Sequence, residues 1–310
     1  MPEVLFQTDG IHGFRFHALG GAGRIRMAGC PRDLAERAVA GAVRWLREAE
    51  ARLSRFRPDS LISQLNREGL CPSNPELDSF LAIGEQARMQ TRGRFHITGA
   101  PLWNLWHDPA RELWPDDGEI EAARARSDPG GLACEGGTIR IRAGMAVDLG
   151  GIAKEWCVDE LVVRLRAAGV RNFLVELAGD VAARGHQPGH GGWWVLLPDG
   201  RHSYPLCDAA LATSGHHSRG RRLDGRWVSH LIDAARGLPA SGAVVTATVL
   251  APTCTEAGLR ATDAALAPTW REAWERTGHH QTLLRLANGT TRVTPALAEA
   301  CAEVNSSFLA

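Results

Sequence analysis

The apolar positions of this chain change period several times along its length. Leu34, Ala38, Ala42, Leu46, Ala49 and Leu53 recur at spacings of three and four, which predicts a helix with one buried face running to about Ser54. Asp33 with Glu36 three residues on has the form of a capping box at its start. Asn74 followed by Pro75 predicts a second helix, with Leu77, Leu81 and Ala87 turned inward. A third is expected from Ala153 to Ala168, ended by Gly169. Period-two or apolar runs predict strands at Arg24–Met27, Phe173–Leu177, Trp193–Leu197 and Ala243–Ala251, with Thr138–Arg142 as an edge-type strand. Leu283–Ala287 and Thr290–Val293 flank Asn288-Gly289, a hairpin signature. Residues 109–137 are rich in Pro, Gly, Asp and Arg and read as a loop-bearing connection, with a possible subdomain boundary. The expectation is a single α/β domain, 1–310, α+β-like with a mixed sheet and a substantial antiparallel part. A doubly wound sheet is not expected.

Composition narrows the function classes. The 35 basic and 35 acidic side chains cancel, so neither a strongly basic nucleic-acid binder nor an acidic tail is present. No apolar run is long enough to span a bilayer, and Met1–Gly10 lacks the pattern of an export signal. The chain as it stands is expected in the cytoplasm, or in the periplasm if an export signal has been trimmed. Seven scattered cysteines without a C-x-x-C pair read as reduced packing residues.

Lys154 is the only lysine among 35 basic residues. It lies in Asp148-Leu149-Gly150-Gly151-Ile152-Ala153-Lys154, a Gly-Gly turn entering a helix, where free N–H groups could seat a pyrophosphate. A plain structural turn fits the same residues. Ala178-Gly179-Asp180 ends an apolar strand, as a ligand-contacting bend or as a simple bulge. His230 sits in an apolar alternation, as a proton-transfer group or as a core histidine. Gly258 and Thr262 would share one face of a helix. The histidine pairs at 186/190, 216/217 and 279/280 allow a metal-carrier reading, although Gly-rich loops favour their being solvated.

In order, these segments resemble the ApbE family of FAD:protein FMN transferases, from about Phe14 to Leu266. Phe16-His17-Ala18-Leu19-Gly20-Gly21 is similar to F-x-A-M-G-T, and Leu53–Asn66 (LSRFRPDSLISQLN) to the family's L-S-x-[FY] segment. Phe95–Trp106 resembles F-D-[IP]-T-x-x-P-L-x-x-x-W, with His96 for Asp. Asp148–Lys154 is the closest match, with Glu155 replacing the Gly that usually follows. Ala178-Gly179-Asp180 resembles G-G-D. Thr213-Ser214-Gly215 and His230–Pro239 resemble T-S-G-[DN] and H-[IL]-[IL]-D-P-x-[TS]-G-x-P, with His216 and Ala234 departing. In the last motif Thr262 remains, and Gly258 stands where the family has a metal-binding Asp.

The resemblance implies an ApbE-like, T-fold-related architecture with an FAD cleft between two subdomains, and transfer of FMN from FAD to a Thr or Ser of a target flavoprotein with release of AMP. It implies FAD contacts from Ala18, Leu19, Asn66, Asp148, Gly150, Gly151, Lys154, Asp180, Thr213, Ser214, Gly215 and His230, with His230 as acid/base. It implies Mg²⁺ held by the Ala153 carbonyl and Thr262. The departures at Leu19, Gly21, His96, Glu155, Ala178, His216 and Gly258 also admit an FAD-binding protein with weak or lost transfer, or an FAD pyrophosphatase. Glu256 and Asp263 point away from the 258/262 face on an ideal helix, so neither is an obvious replacement acid; Glu176 is a conceivable one.

Overall fold

The computed structural model describes residues 2–8 and 10–303; the ends of the expected 1–310 domain lie outside them. Nine strands form one sheet: β1 (Glu3–Thr8), β2 (Ile11–Ala18), β3 (Gly21–Ala28), β4 (Asn172–Leu177), β5 (Asp180–Arg184), β6 (Ala209–Gly215), β7 (Val244–Ala251), β8 (Thr282–Leu286) and β9 (Thr291–Val293). Their spatial order is their chain order, and every neighbouring pair is antiparallel. The sheet is therefore a meander whose connections have been lengthened. The longest connection, between β3 and β4, carries helices α1 (Arg32–Leu53), α2 (Leu61–Glu68), α3 (Pro75–Gln90), α4 (Ala100–His107), α5 (Asp117–Ser127) and α6 (Ala153–Ala167). Helices α7 (Cys254–Ala265) and α8 (Trp270–Thr277) join β7 to β8.

Alternation along the strands divides the core between the two faces of the sheet. Phe14, Phe16, Ile25, Met27, Phe173 and Val175 face Leu46 of α1, Leu161 of α6 and Ala257 of α7. Leu174, Ala183, Leu211 and Leu250 face the other way, onto Trp193 and Leu206. A separate aromatic cluster, Trp106, Ile120, Leu223 and Val228, ties α4 and α5 to the hairpin of Gly220–Leu223 and Arg226–Ser229.

The predicted elements recur with local differences. Helix α1 forms without the expected box: Asp33 pairs with Arg37, Arg32 pairs with Glu36, and Pro31 is the N-cap. Asn74 does cap α3, accepting from the Leu77 N–H at 3.0 Å. The 109–137 stretch is not simply a loop. It holds α5, started by a true capping box of Asp116 and Glu119; composition hid a helix whose sequence, DGEIEAARARS, carries little apolar periodicity. Thr138–Ile141 is the middle strand of a three-stranded sheet, not an edge, because Leu70–Pro72 pairs with its outer side.

Candidate active site

A cleft of 810 Å³ lies between the helical face of the sheet and the aromatic cluster, within the size range of small-molecule sites. Its floor is built by two turns and a strand end brought side by side. Asp148 accepts from the Gly150 N–H at 2.8 Å, folding the chain back so that Gly150 and Gly151 lie on the cleft surface. A Cβ on Gly151 would stand 2.4 Å from the Phe95 ring, so glycine here lets that ring lie against the turn. Helix α6 then starts at Ala153 with no side chain capping it; the Ala153 N–H is taken by the Leu149 carbonyl at 2.7 Å, which leaves the following N–H groups of the first turn and the positive end of the dipole to an anion. The second turn, Ala178-Gly179, has positive φ at both residues and also reaches the cleft. The third segment is the end of β6, Thr213-Ser214-Gly215.

Lys154 joins these pieces. Its ammonium bonds the Asp180 carboxylate, which is 1% exposed, and lies 3.7 Å from Glu155 Oε1. The other Asp180 oxygen accepts from the Thr213 N–H at 3.2 Å. Burial would lower the Lys154 pKa, but the Glu155 and Asp180 carboxylates outweigh it and hold it above the ordinary lysine value. Burial, opposed by Lys154, pushes the Glu155 carboxyl up to about 7. A lysine head on a flexible stem can lie between two acids on different elements, which a planar guanidinium does less well.

The opposite wall has different chemistry. The Arg55 guanidinium lies 4.4 Å over the Trp103 ring and 4.6 Å over Phe56, with its Nε 3.0 Å from Asp148. Phe56 is 76% exposed at the mouth. His107 stacks on Trp103 and donates from Nε2 to the Ser229 carbonyl at 3.0 Å. His230 is not inside a strand as the alternation suggested; it occupies the bend between Arg226–Ser229 and Ile232–Asp233. Its backbone N–H and its Nδ1 both meet the Arg219 carbonyl at 3.1 Å, the backbone bond continuing the hairpin register one step past the strand end. Assigning the proton to Nδ1 leaves Nε2 as a lone pair on a side chain that lines the cleft. Burial, opposed by the Arg219 carbonyl, lowers its pKa.

Of the residues proposed from sequence, Asp148, Gly150, Gly151, Lys154, Thr213, Ser214, Gly215, His230 and Thr262 line the cleft. Asp180 stands behind Lys154. Ala18 and Leu19 do not line it. They end β2 at a turn in which Leu19 has φ +52°, and that turn packs on the Ala178 turn: a Cβ at Gly21 would meet the Ala178 Cβ at 2.6 Å. Asn66 is also absent from the lining. Its amide clamps the Val147 backbone, donating to the carbonyl at 2.9 Å and accepting from the N–H at 2.7 Å, which sets the entry to the Asp148 turn. Ala153 is behind the lining, in the first turn of α6. Glu176 is not a replacement acid for position 258: it lies on β4 opposite Arg24, at 3.7 Å, and away from the cleft. Glu256 bonds His280 and Asp263 bonds Arg276, both at 3.1 Å. Sequence reasoning did not propose Arg55, Trp103, His107 or Glu155. Arg55 lies within the L-S-x-F segment, and Glu155 was visible only as a departure from a motif. Among the described residues no three His, Cys, Asp or Glu gather as a metal cluster, and His280 is buried rather than solvated, so the histidine-carrier reading has no site there.

The ApbE family profile matches residues 23–283. The chain belongs to the ApbE family. An FAD:protein FMN transferase of Vibrio cholerae serotype O1 is 31% identical over 225 residues, 68% of this chain and 67% of that protein. Another from Salmonella typhimurium is 28% identical over 228 residues, 66% of this chain and 64% of that protein. The alignments thus span about two thirds of these relatives' length. The ApbE fold itself extends further: the apo crystal structure of Pseudomonas stutzeri flavinyl transferase ApbE superposes with a TM-score of 0.83, covering 94% of this chain and 96% of that one at 23% identity. Among the described residues no helix is long and apolar enough to cross a membrane.

Proposed function

We propose that this chain is an FAD:protein FMN transferase, acting as one ApbE-like domain on FAD and a target flavoprotein. The observation that carries the reading is the cleft floor, where the Gly150-Gly151 turn, the open N-terminus of α6 and the Lys154 ammonium converge on one surface. These are the features an anionic diphosphate requires: close backbone approach, free N–H donors and a fixed positive charge. The relatives' names supply the reaction class.

In the reaction the hydroxyl oxygen of an acceptor Thr or Ser attacks the FMN phosphorus of FAD. The bond to the bridging pyrophosphate oxygen breaks, and AMP leaves with that oxygen. His230 Nε2 takes the hydroxyl proton and returns it to solvent; its Nδ1 bond to the Arg219 carbonyl fixes the tautomer that can do so. Asp180 and Thr213 hold Lys154 in one position, so little reorganisation is needed as charge shifts to the leaving group. Mg²⁺, the divalent ion that the family resemblance implies, suits hard oxygen donors such as the Thr262 hydroxyl and the Ala153 carbonyl. The Thr262 hydroxyl lies 3.2 Å from Ser214 Oγ on the cleft floor, and the solvent-shielded, unpartnered Oε2 of Glu155 is a third oxygen of this kind. When bound, the ion neutralises charge on the diphosphate.

The test is to incubate the protein with FAD, Mg²⁺ and an acceptor flavoprotein lacking its flavin. Flavin fluorescence that stays with the acceptor after denaturation, with AMP in equal amount, is the expected result. AMP with free FMN and no labelled acceptor would replace the reading by a pyrophosphatase; unchanged FAD would replace it by a binding protein.

A further inference from the structure

Helices α6 and α7 cross at Glu155 and Gly258, the two positions at which the chain departs from the metal-side motifs. A Cβ built on Gly258 would stand 2.5 Å from Glu155 Cγ and 3.1 Å from both its Cδ and its Oε1. The carboxylate of residue 155 therefore fills the space into which any side chain at 258 would extend. The crossing is held in register by Asp159 of α6, which accepts from the Cys254 N–H at 2.7 Å, the Thr255 N–H at 2.9 Å and the Thr255 hydroxyl at 2.7 Å. Thr262 shares the face of Gly258, and it and Glu155 both line the cleft.

Within this arrangement one group is left over. Glu155 Oε1 faces the Lys154 ammonium, but Oε2 is closed off from solvent and has no hydrogen-bond partner among the described residues. A buried carboxylate oxygen without a partner is unfavourable and calls for a proton or a cation. The neighbouring acids are committed elsewhere: Glu256 to His280, Asp263 to Arg276 and Asp180 to Lys154 and Thr213.

We propose that Glu155 is the carboxylate ligand of the divalent cation, the acid having moved across the helix pair from position 258 to position 155 in one reciprocal exchange. Gly258 is then no loss of the site but the vacancy that lets the longer Glu155 side chain reach it. A glutamate has one more methylene than an aspartate, which suits an acid reaching in from the neighbouring helix. The inference rests on the transferase reading and names a ligand within it.

The test is titration of EDTA-stripped protein with Mn²⁺, free ion followed by electron paramagnetic resonance, with and without FAD. Wild type, Glu155→Gln, Gly258→Asp and the double variant Glu155→Gly/Gly258→Asp are compared. FAD binding is measured separately in EDTA by flavin fluorescence, and folding by circular dichroism. Glu155→Gln is expected to weaken Mn²⁺ by about tenfold or more, as losses around metal ligands do. The double variant, which returns each residue to its motif type, is expected to recover the wild-type affinity to within about threefold, while Gly258→Asp alone gives no tighter binding because Glu155 already occupies the space. Wild-type affinity in Glu155→Gln, a double variant no better than Glu155→Gln, or a wild type that binds FAD but no Mn²⁺ would overturn the proposal and leave the transferase reading standing. Failure of the wild type to bind FAD would overturn the reading itself, and the flavin-free Mn²⁺ titration still judges Glu155.

Discussion

The floor and the far wall of the cleft are built on opposite principles. On the floor, charges are paired and fixed: Lys154 lies between Asp180 and Glu155, Asp180 also holds the Thr213 N–H, and Asp159 pins α7 to α6. On the wall, aromatic faces and neutral imidazoles dominate, with Phe56 open to solvent and Arg55 stacked over Trp103. A floor of this kind holds one ligand group in one orientation. The wall offers planar surfaces on which a ring system or an acceptor segment can lie with more freedom. Substitutions in the floor should therefore be felt by fold and chemistry together, and those of partly exposed groups on the wall, such as His230, mainly by chemistry.

The largest expected effect is on the wall. His230→Ala should lower FMN transfer by about 10² to 10⁴-fold, the usual contribution of a general base, with an unchanged melting curve. Burial lowers the folded pKa of His230, so its base form persists below pH 6.5, and the acid limb of the kcat/KM profile should fall below that value. An acid limb above pH 6.5 would remove His230 from the role. Next is Asp180→Ala on the floor. It leaves Lys154 paired to Glu155 alone and the Thr213 N–H without its acceptor, and should cost about 3–5 kcal/mol in urea unfolding, with transfer lost as well.

His96, on the wall, gives a smaller effect. Burial, aided by Arg88 and opposed by Asp128, lowers its pKa to about 4. Between pH 6.5 and 4 the unfolded chain binds a proton at this position and the folded chain does not, so stability falls as pH drops through that window, by at most about 3 kcal/mol. His96→Asn should flatten this part of the stability profile. The smallest effect separates packing from charge on the floor. Gly258→Ala should destabilise the wild type by about 1–3 kcal/mol through its approach to Glu155 Cγ, yet be neutral or stabilising in Glu155→Gly, where alanine is the better helix residue. Equal effects in both backgrounds would mean that the two helices do not meet there.

The sequence makes the floor more legible than the wall, for physical reasons. A single lysine after a Gly-Gly turn is a local pattern, and Lys154, Gly150 and Gly151 all reach the cleft. Strand and helix periods gave most elements of the sheet and of α1, α3 and α6, since a buried face writes its period into the chain. Helix α5 carries too little apolar period to stand out from the loop-bearing connection around it. His230 sits just past a strand and not within it, since an apolar neighbourhood does not reveal that the strand ends at Ser229. Asn66 was assigned to the ligand, whereas its amide pairs with the Val147 backbone 81 residues away. Glu155 and Gly258 appeared as two separate losses, 103 positions apart in the chain. Only the crossing of α6 and α7 brings the two together, and on that contact the proposed relocation of the acid rests.

The most direct measurement of that claim is a turnover cycle: AMP release coupled to acceptor labelling in Mg²⁺ for wild type, Glu155→Gly, Gly258→Asp and the double variant. The relocated acid predicts that Glu155→Gly falls steeply, that Gly258→Asp is impaired by crowding, and that the double variant recovers most of the wild-type rate. A double variant as slow as the product of the two single effects would contradict it, because two independent sites add in free energy and a shared one does not.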